Sequence, residues 1–172
     1  LEELARSSRL GFVFECGGPD GSVVTSRRGL CRYSLKIKGK AGHAGNLQTA
    51  KQSAVVELAH QILKLEALND REAGLSVNVG RVKGGTVTNI IPAEAEAELE
   101  VRFLNQGQGD EAGELIQKLA NSSQKFGIET NFVRGHARPP MEHTQGTAQL
   151  FQEVAQVAAR NQIILSEESR WG

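Results

Sequence analysis

Residues 94–103, EAEAELEVRF, alternate without interruption. Glu94, Glu96, Glu98, Glu100 and Arg102 fall on one side and Ala95, Ala97, Leu99, Val101 and Phe103 on the other, the period of a strand with one buried face and one wet face. Such a strand cannot slip by one residue, because every glutamate would then enter the core. A second stretch of this kind sets Cys31, Tyr33, Leu35 and Ile37 against Arg32, Ser34, Lys36 and Lys38. Its polar face is basic where the other is acidic. The two strands are therefore predicted to lie side by side, each good cross-strand ion pair contributing about 0.2–1 kcal/mol, whereas the reverse arrangement stacks like charges.

The remaining elements follow from period and punctuation. Leu75, Val77 and Val79 predict a strand, and residues 128–135 another. Val55, Leu58, Ala59, Ile62 and Leu65 predict a helix over about 47–68. A second helix is predicted with Asp110 as N-cap, Glu111 in the first turn, apolar Ala112, Leu115, Leu119 and Phe126, and Gly127 as its stop. The order strand, helix, strand, strand, helix, strand is that of a split β-α-β, ferredoxin-like, two-layer α+β sandwich. Its four-stranded antiparallel sheet has the first and third strands in the middle and two helices on the apolar face, leaving the charged face to water or to another layer of protein.

That module occupies residues 28–139. Residues 1–27 and 140–172 do not share its pattern. Gly11 to Phe14 reads as a fully buried strand, Leu150, Phe151, Val154, Val157 and Ala158 as a helix stripe after Thr147, and Ile163 to Leu165 as a strand-like run. The flanks are expected to be pieces of a larger α/β domain into which the small domain is inserted. With Leu1 first and Trp171-Gly172 last, the chain is expected to be a fragment cut on both sides.

Composition removes several function classes. Twenty Lys plus Arg balance twenty Asp plus Glu over 172 residues, so no global field attracts nucleic acid or an acidic membrane. RNA-binding sandwiches of this topology carry sheet aromatics where this sheet carries charge. No apolar run approaches the roughly 20 residues of a membrane span. Two cysteines, Cys16 and Cys31, form neither a disulfide framework nor a zinc knuckle, which makes a reducing compartment, the cytoplasm, the expectation. Nucleophile elbow, Walker loop, dinucleotide fingerprint and H-E-x-x-H spacing are all missing.

Several residues remain as candidates. The loop from Lys83 to Ala93, KGGTVTNIIPA, far exceeds what a hairpin needs, and within it Asn89 offers both donor and acceptor. It reads equally as a wandering loop pinned by Ile90 and Ile91. His43, in Gly-His-Ala-Gly, has neighbours too small to cover its ring, and is either an accessible catalytic imidazole or a solvated loop residue. Arg102 is the one basic residue on a glutamate face, placed to grip a carboxylate in a bidentate fork or to pair with neighbouring glutamates. Glu15 ends a predicted strand, and Arg138 precedes the stiff Pro139-Pro140.

Taken in order, VFECGGPDG, LCRYSLKIKGKAGHAG, NVGRVKGGTVTNIIPAEAEAELEVRF and ARPPME resemble the dinuclear zinc exopeptidases and deacylases, among them glutamate carboxypeptidase, acetylornithine deacetylase and succinyl-diaminopimelate desuccinylase. The glutamate carboxypeptidase branch is most similar. The resemblance implies that residues 28–139 are an inserted lid that also forms a homodimer contact, with remnants of the zinc domain on either side. It implies that Glu15 is a zinc ligand, that His43 reaches the partner subunit's active site, and that Asn89, Arg102 and, less directly, Arg138 bind substrate. Two zinc ions in the parent protein and a peptide or N-acyl amino acid substrate are implied with it. The family's His-x-Asp motif, its Glu-Glu pair with the general base and its bridging aspartate are expected before Leu1 and its last histidine after Gly172, so this chain by itself is expected to be inactive. An alternative of another class is a non-catalytic dimerisation or small-ligand-binding module of the same topology.

Overall fold

A computed structural model describes residues 2–14, 21–46, 48, 50–122 and 127–171. In chain order the elements are α1 (Glu2–Ser7), β1 (Val23–Arg27), β2 (Gly29–Lys38), β3 (Gly42–His43), α2 (Ala54–Glu66), β4 (Ser76–Gly84), β5 (Ile90–Ile91), β6 (Glu94–Phe103), α3 (Gln106–Ser122), β7 (Glu129–Arg138), α4 (Gln145–Arg160) and β8 (Glu167–Arg170). They divide into two units, Leu1–Thr25 with Thr144–Ser169, and Ser26–His143 with Arg170–Gly172.

The second unit is built on a four-stranded sheet ordered β4-β6-β2-β7, with every pairing antiparallel. The complementary strands β2 and β6 are central neighbours, with Arg32 opposite Glu100, Lys36 opposite Glu96 and Lys38 opposite Glu94. The glutamate row serves both of its neighbours. Arg32 Nε lies 3.1 Å from Glu100, while from β4 Arg81 reaches Glu98 at 3.3 Å and Lys83 reaches Glu96 at 3.9 Å. On the other face, Cys31, Tyr33, Leu35, Ile37, Ala97, Leu99, Val101 and Phe103 meet Ala54, Leu58 and Leu65 of α2 and Ala112 and Ile116 of α3 in one core. The predicted two-layer α+β sandwich is the observed one.

Both helices start elsewhere than expected. Helix α2 begins at Ala54 rather than near residue 47, because the backbone before it is committed elsewhere. The Lys40 N–H donates to the Gln52 carbonyl at 2.9 Å, the Ala54 N–H donates to the Pro92 carbonyl at 2.9 Å, and Ser53 caps by accepting from the Val56 N–H. Helix α3 begins at Gln106, so Asp110 lies inside it and is not its cap. Asn105 takes that role, its Oδ1 accepting from the Gln108 N–H at 2.9 Å, while Asp110 accepts from the Gln106 side chain. The helix ends at Ser122, and Phe126 lies outside the described residues. Strands β4 and β7 both run further than their apolar alternation indicated, to Gly84 and Arg138.

In the first unit, α4 is capped by Thr144, which accepts from the Thr147 N–H while the Thr147 hydroxyl accepts from the Thr144 N–H. None of its residues is buried. The expected strand from Gly11 to Phe14 is not formed, and Val13 and Phe14 are 85% and 94% exposed. Ile163 to Leu165 is likewise not a strand; the extended segment comes later, as β8, which pairs with β1. A short apolar run becomes a buried strand only when a neighbouring strand takes up its backbone hydrogen bonds, and among the described residues no strand pairs with either run.

Candidate functional site

At one end of the sheet β2 and β6 are extended by a miniature ribbon. Strand β3 pairs with β5, Gly42 opposite Ile91 and His43 opposite Ile90, and the Ala44 N–H donates to the Asn89 carbonyl at 2.9 Å. The loop predicted to lack secondary structure thus ends in a strand, and that strand places Asn89 beside His43. Gly85 makes the turn with φ of 77°, a conformation in which a side chain is strained. The ribbon is tied to the sheet and to α2 through its flanks, the Gly39 N–H donating to the Ala93 carbonyl at 2.8 Å.

Both side chains on this ribbon are exposed. The Gly45 N–H donates to His43 Nδ1 at 3.1 Å. With Nδ1 accepting, a neutral ring carries its proton on Nε2, which is then the donor nitrogen of this exposed ring. Asn89, joined to the same ribbon through its main-chain carbonyl, carries an amide donor of its own. Two neutral donors presented together can stabilise a developing oxyanion. A groove of about 650 Å3 adjoins them, and its lysines Lys36, Lys38 and Lys83 are matched in register by Glu94 and Glu96, so it has no strong charge of either sign.

Arg102 and Arg138 occupy the opposite end. Both lie in register with Leu30, one from β6 and the other from β7, so they flank a single residue of β2. The guanidinium of Arg102 is held on three sides: Nε and Nη2 donate to Glu100 Oε1 at 2.8 and 2.7 Å, and Nη1 donates to the Trp171 carbonyl at 2.6 Å. Its pairing with a neighbouring glutamate, one of the two readings of the sequence, is therefore real. Arg138 Nε is buried without a hydrogen-bond partner among the described residues. Arg28, 8% exposed, stacks on the Trp171 ring at 3.6 Å from its centroid and donates to the Gly74 carbonyl. Burial, and then the charge of Arg102, hold Arg28 below the ordinary arginine range. Burial opposes ionisation of Glu100, yet hydrogen bonds and charge from Arg102 and Arg32 prevail and keep its carboxyl below the ordinary range.

The sheet brings His43 to Asn89 and Arg102 to Arg138, but keeps the two pairs apart. Leu30 and Lys38 mark the two ends of β2, and eight residues of antiparallel strand separate them by about 27 Å. Glu15 lies outside the described residues, and among those described no group of three or more His, Cys, Asp or Glu could hold a metal ion. Arg28, Glu100 and Trp171 are members of the arginine end that sequence reasoning missed. Glu100 carried a signal, since it sits two residues from Arg102 on the same face and opposite Arg32. Nothing in the sequence ties Trp171 to Arg28.

The family profile described as peptidase dimerisation domain matches residues 25–127. Among curated proteins, a p-aminobenzoyl-glutamate hydrolase subunit of Escherichia coli (strain K12) is 32% identical over 164 residues, covering 91% of this chain and 37% of that protein. Carboxypeptidase G2 of Pseudomonas sp. (strain RS-16) is 26% identical over 151 residues, covering 87% of this chain and 36% of its own. The chain thus spans little more than a third of the length of these relatives. Among solved structures, aminopeptidase PepT from Bacillus cereus ATCC 10987 superposes with a TM-score of 0.74 at 21% identity, over 92% of this chain and 42% of that one, a likeness of fold.

Proposed function

This chain belongs to the peptidase dimerisation domain family, and on that premise we propose that it is the dimerisation and lid portion of a zinc-dependent amide hydrolase. The parent protein is an exopeptidase or N-acyl-amino-acid amidohydrolase of the glutamate carboxypeptidase kind, and it works as a homodimer. Residues 28–139 form the lid, with 1–27 and 140–172 belonging to the catalytic domain. His43 Nε2 and the Asn89 amide donate to the oxyanion of the tetrahedral intermediate, and Arg102, with Arg138 beside it, binds the substrate carboxylate. Few cysteines, with Cys31 a buried free thiol, favour the cytoplasm. No described helix is long and apolar enough to cross a membrane.

One observation carries the reading: Arg102 and Arg138 lie at the Leu30 end of β2, and His43 and Asn89 lie beyond its Lys38 end, about 27 Å along the strand, which is too far for one chain to bring them to one small substrate. A dimer removes the difficulty. Strand β4 is an edge of the sheet, exposed from Arg81 to Gly84. Beside it, α2 exposes Val55, Val56 and Leu63, and Val55 lies close enough to Gly84 to contact any side chain placed there. An unpaired edge next to an apolar helical stripe suits a second copy of the same surface. Two β4 strands paired antiparallel about a two-fold axis set the Gly84 end of one protomer against the Ser76 end of the other, and Ser76 is opposite Arg102. The His43 end of one protomer then neighbours the Arg102 end of its partner, about three strand spacings or 15 Å away instead of 27 Å.

Two zinc ions belong to this reading. Glu15 is proposed as one of their ligands, and the roles given to His43, Asn89, Arg102 and Arg138 do not depend on the geometry of the metal site.

Complementation between protomers tests the proposal. The full-length protein is prepared as His43→Ala and as Arg102→Ala, each of which should be nearly inactive, and the two are mixed under conditions that exchange protomers. If His43 acts across the two-fold axis, each mixed dimer holds one intact site, and about a quarter of wild-type turnover returns. A mixture as inactive as its components places both residues in one chain's site and ends the reading.

A further inference from the structure

The carboxylate of Glu100 bridges two guanidinium groups from adjacent strands. Its Oε1 accepts both Nε and Nη2 of Arg102, and its Oε2 accepts Nε of Arg32 at 3.1 Å. Glu100 and Arg102 are two residues apart on the same face of β6, and Arg32 stands directly opposite Glu100 on β2. The bridge lies in a strongly basic neighbourhood. Arg28 is near enough to feel the charge of Arg102, and Arg138 is two strands away across Leu30. A free arginine side chain samples many rotamers, whereas a guanidinium fixed along its Nε–Nη2 edge has one direction left for Nη1. In this structure Nη1 meets a main-chain oxygen, that of Trp171, so the exposed arm already faces an acceptor.

We propose that Glu100 is the positioning residue of the carboxylate subsite: anchored by Arg32, it fixes the guanidinium of Arg102 so that the Nη1 arm is presented to the carboxylate of the substrate. The inference rests on Arg102 being the carboxylate-binding residue. Glu100 itself touches no substrate. It acts by orienting Arg102 before binding, which lowers the ordering cost of each binding event, and by offsetting the repulsion among Arg28, Arg32 and Arg102. Arg32 is the second anchor, since without it one oxygen of Glu100 loses its partner and the carboxylate can rotate.

The test uses the full-length protein and two matched substrates, an N-acyl amino acid with a free α-carboxylate and the corresponding carboxamide. Glu100→Gln keeps shape and loses charge. It is expected to raise KM for the free acid by about tenfold, to change kcat by less than about twofold, and to leave both parameters for the carboxamide unchanged. Glu100→Asp, which restores the charge on a shorter arm, is expected to recover part of the loss. Equal losses on acid and carboxamide mean that Glu100 serves only the fold, and overturn the proposal. Arg102→Lys separates the two levels of inference. If it abolishes discrimination between acid and carboxamide while Glu100→Gln preserves it, only the positioning role fails. If Arg102→Lys itself preserves discrimination, the carboxylate reading of Arg102 fails and takes the positioning role with it.

Discussion

The two ends of the central sheet are built from different materials. The His43 end is made by main chain: a ribbon of two residue pairs, a carbonyl of Asn89 accepting from Ala44, and close approaches allowed by glycine. The Arg102 end is made by side chains, with one carboxylate holding two guanidinium groups and a third stacked on an indole. Main-chain bonds fix where the His43 ring stands but leave it exposed. Charge-assisted bonds fix which way a long flexible side chain points. Steric and backbone changes should therefore damage the first end, and changes of charge the second.

The largest effect is expected from Gly39→Ala. A Cβ at position 39 would collide with the Gln52 carbonyl oxygen, which is backbone and is already bonded to the Lys40 N–H. Relief requires the junction of β2, α2 and the ribbon to open, at about 2–4 kcal/mol. Urea unfolding of this chain should show the loss as a lower midpoint at unchanged slope. An unchanged midpoint would mean that the junction is looser than its geometry. Next comes Ala44→Pro, which removes the N–H donated to Asn89. Global stability should fall by only about 1 kcal/mol, the net contribution of a single main-chain hydrogen bond. Turnover of the full-length protein should nevertheless fall about tenfold, since the relation between His43 and Asn89 is lost. Full turnover in this variant would detach the ribbon from function.

These ends were not equally legible in the sequence. The sheet was, because strict alternation with complementary charge on 30–38 and 94–103 leaves one register that keeps Lys and Glu opposed and out of the core. His43 and Asn89 stood out by their small neighbours and an overlong loop, but their adjacency depends on a two-residue pairing that no periodicity can reveal. Asp110 lies inside α3 rather than at its cap, and the helix begins ahead of it through Gly107 and Gly109, both poor helix formers. Gly109 is buried inside α3, where a side chain would strike the Phe103 ring, so close helix–strand approach outweighs its weak propensity. Gly11 to Phe14 and Ile163 to Leu165 failed for the opposite reason, since apolar composition promises burial only where a partner surface exists. The stack of Arg28 on Trp171 joins residues far apart in sequence, and local pattern carries no trace of it.

The smallest effect distinguishes the two ends most cleanly, because it depends on pH. Glu100 has its folded pKa below the ordinary 4.5, so its ionised form stabilises the fold. That contribution is complete above the unfolded value and is lost as the pH falls from 4.5 through the folded value, where the carboxyl protonates in both states. Glu100→Gln lacks it at every pH. The stability difference between wild type and variant should therefore be constant from neutral pH to about 5 and should shrink below that. Its size is modest, about 1 kcal/mol or less, because the Arg32 side chain is 64% exposed and that of Arg102 34%, so water screens both pairs. Ala44→Pro alters only a main-chain bond, and its stability should run parallel to wild type across the same range. Urea midpoints at pH 7, 5 and 3.5 would show both patterns. A Glu100→Gln difference that persists at pH 3.5 would assign the effect to packing rather than charge, and the contrast between a main-chain end and a side-chain end would then no longer hold.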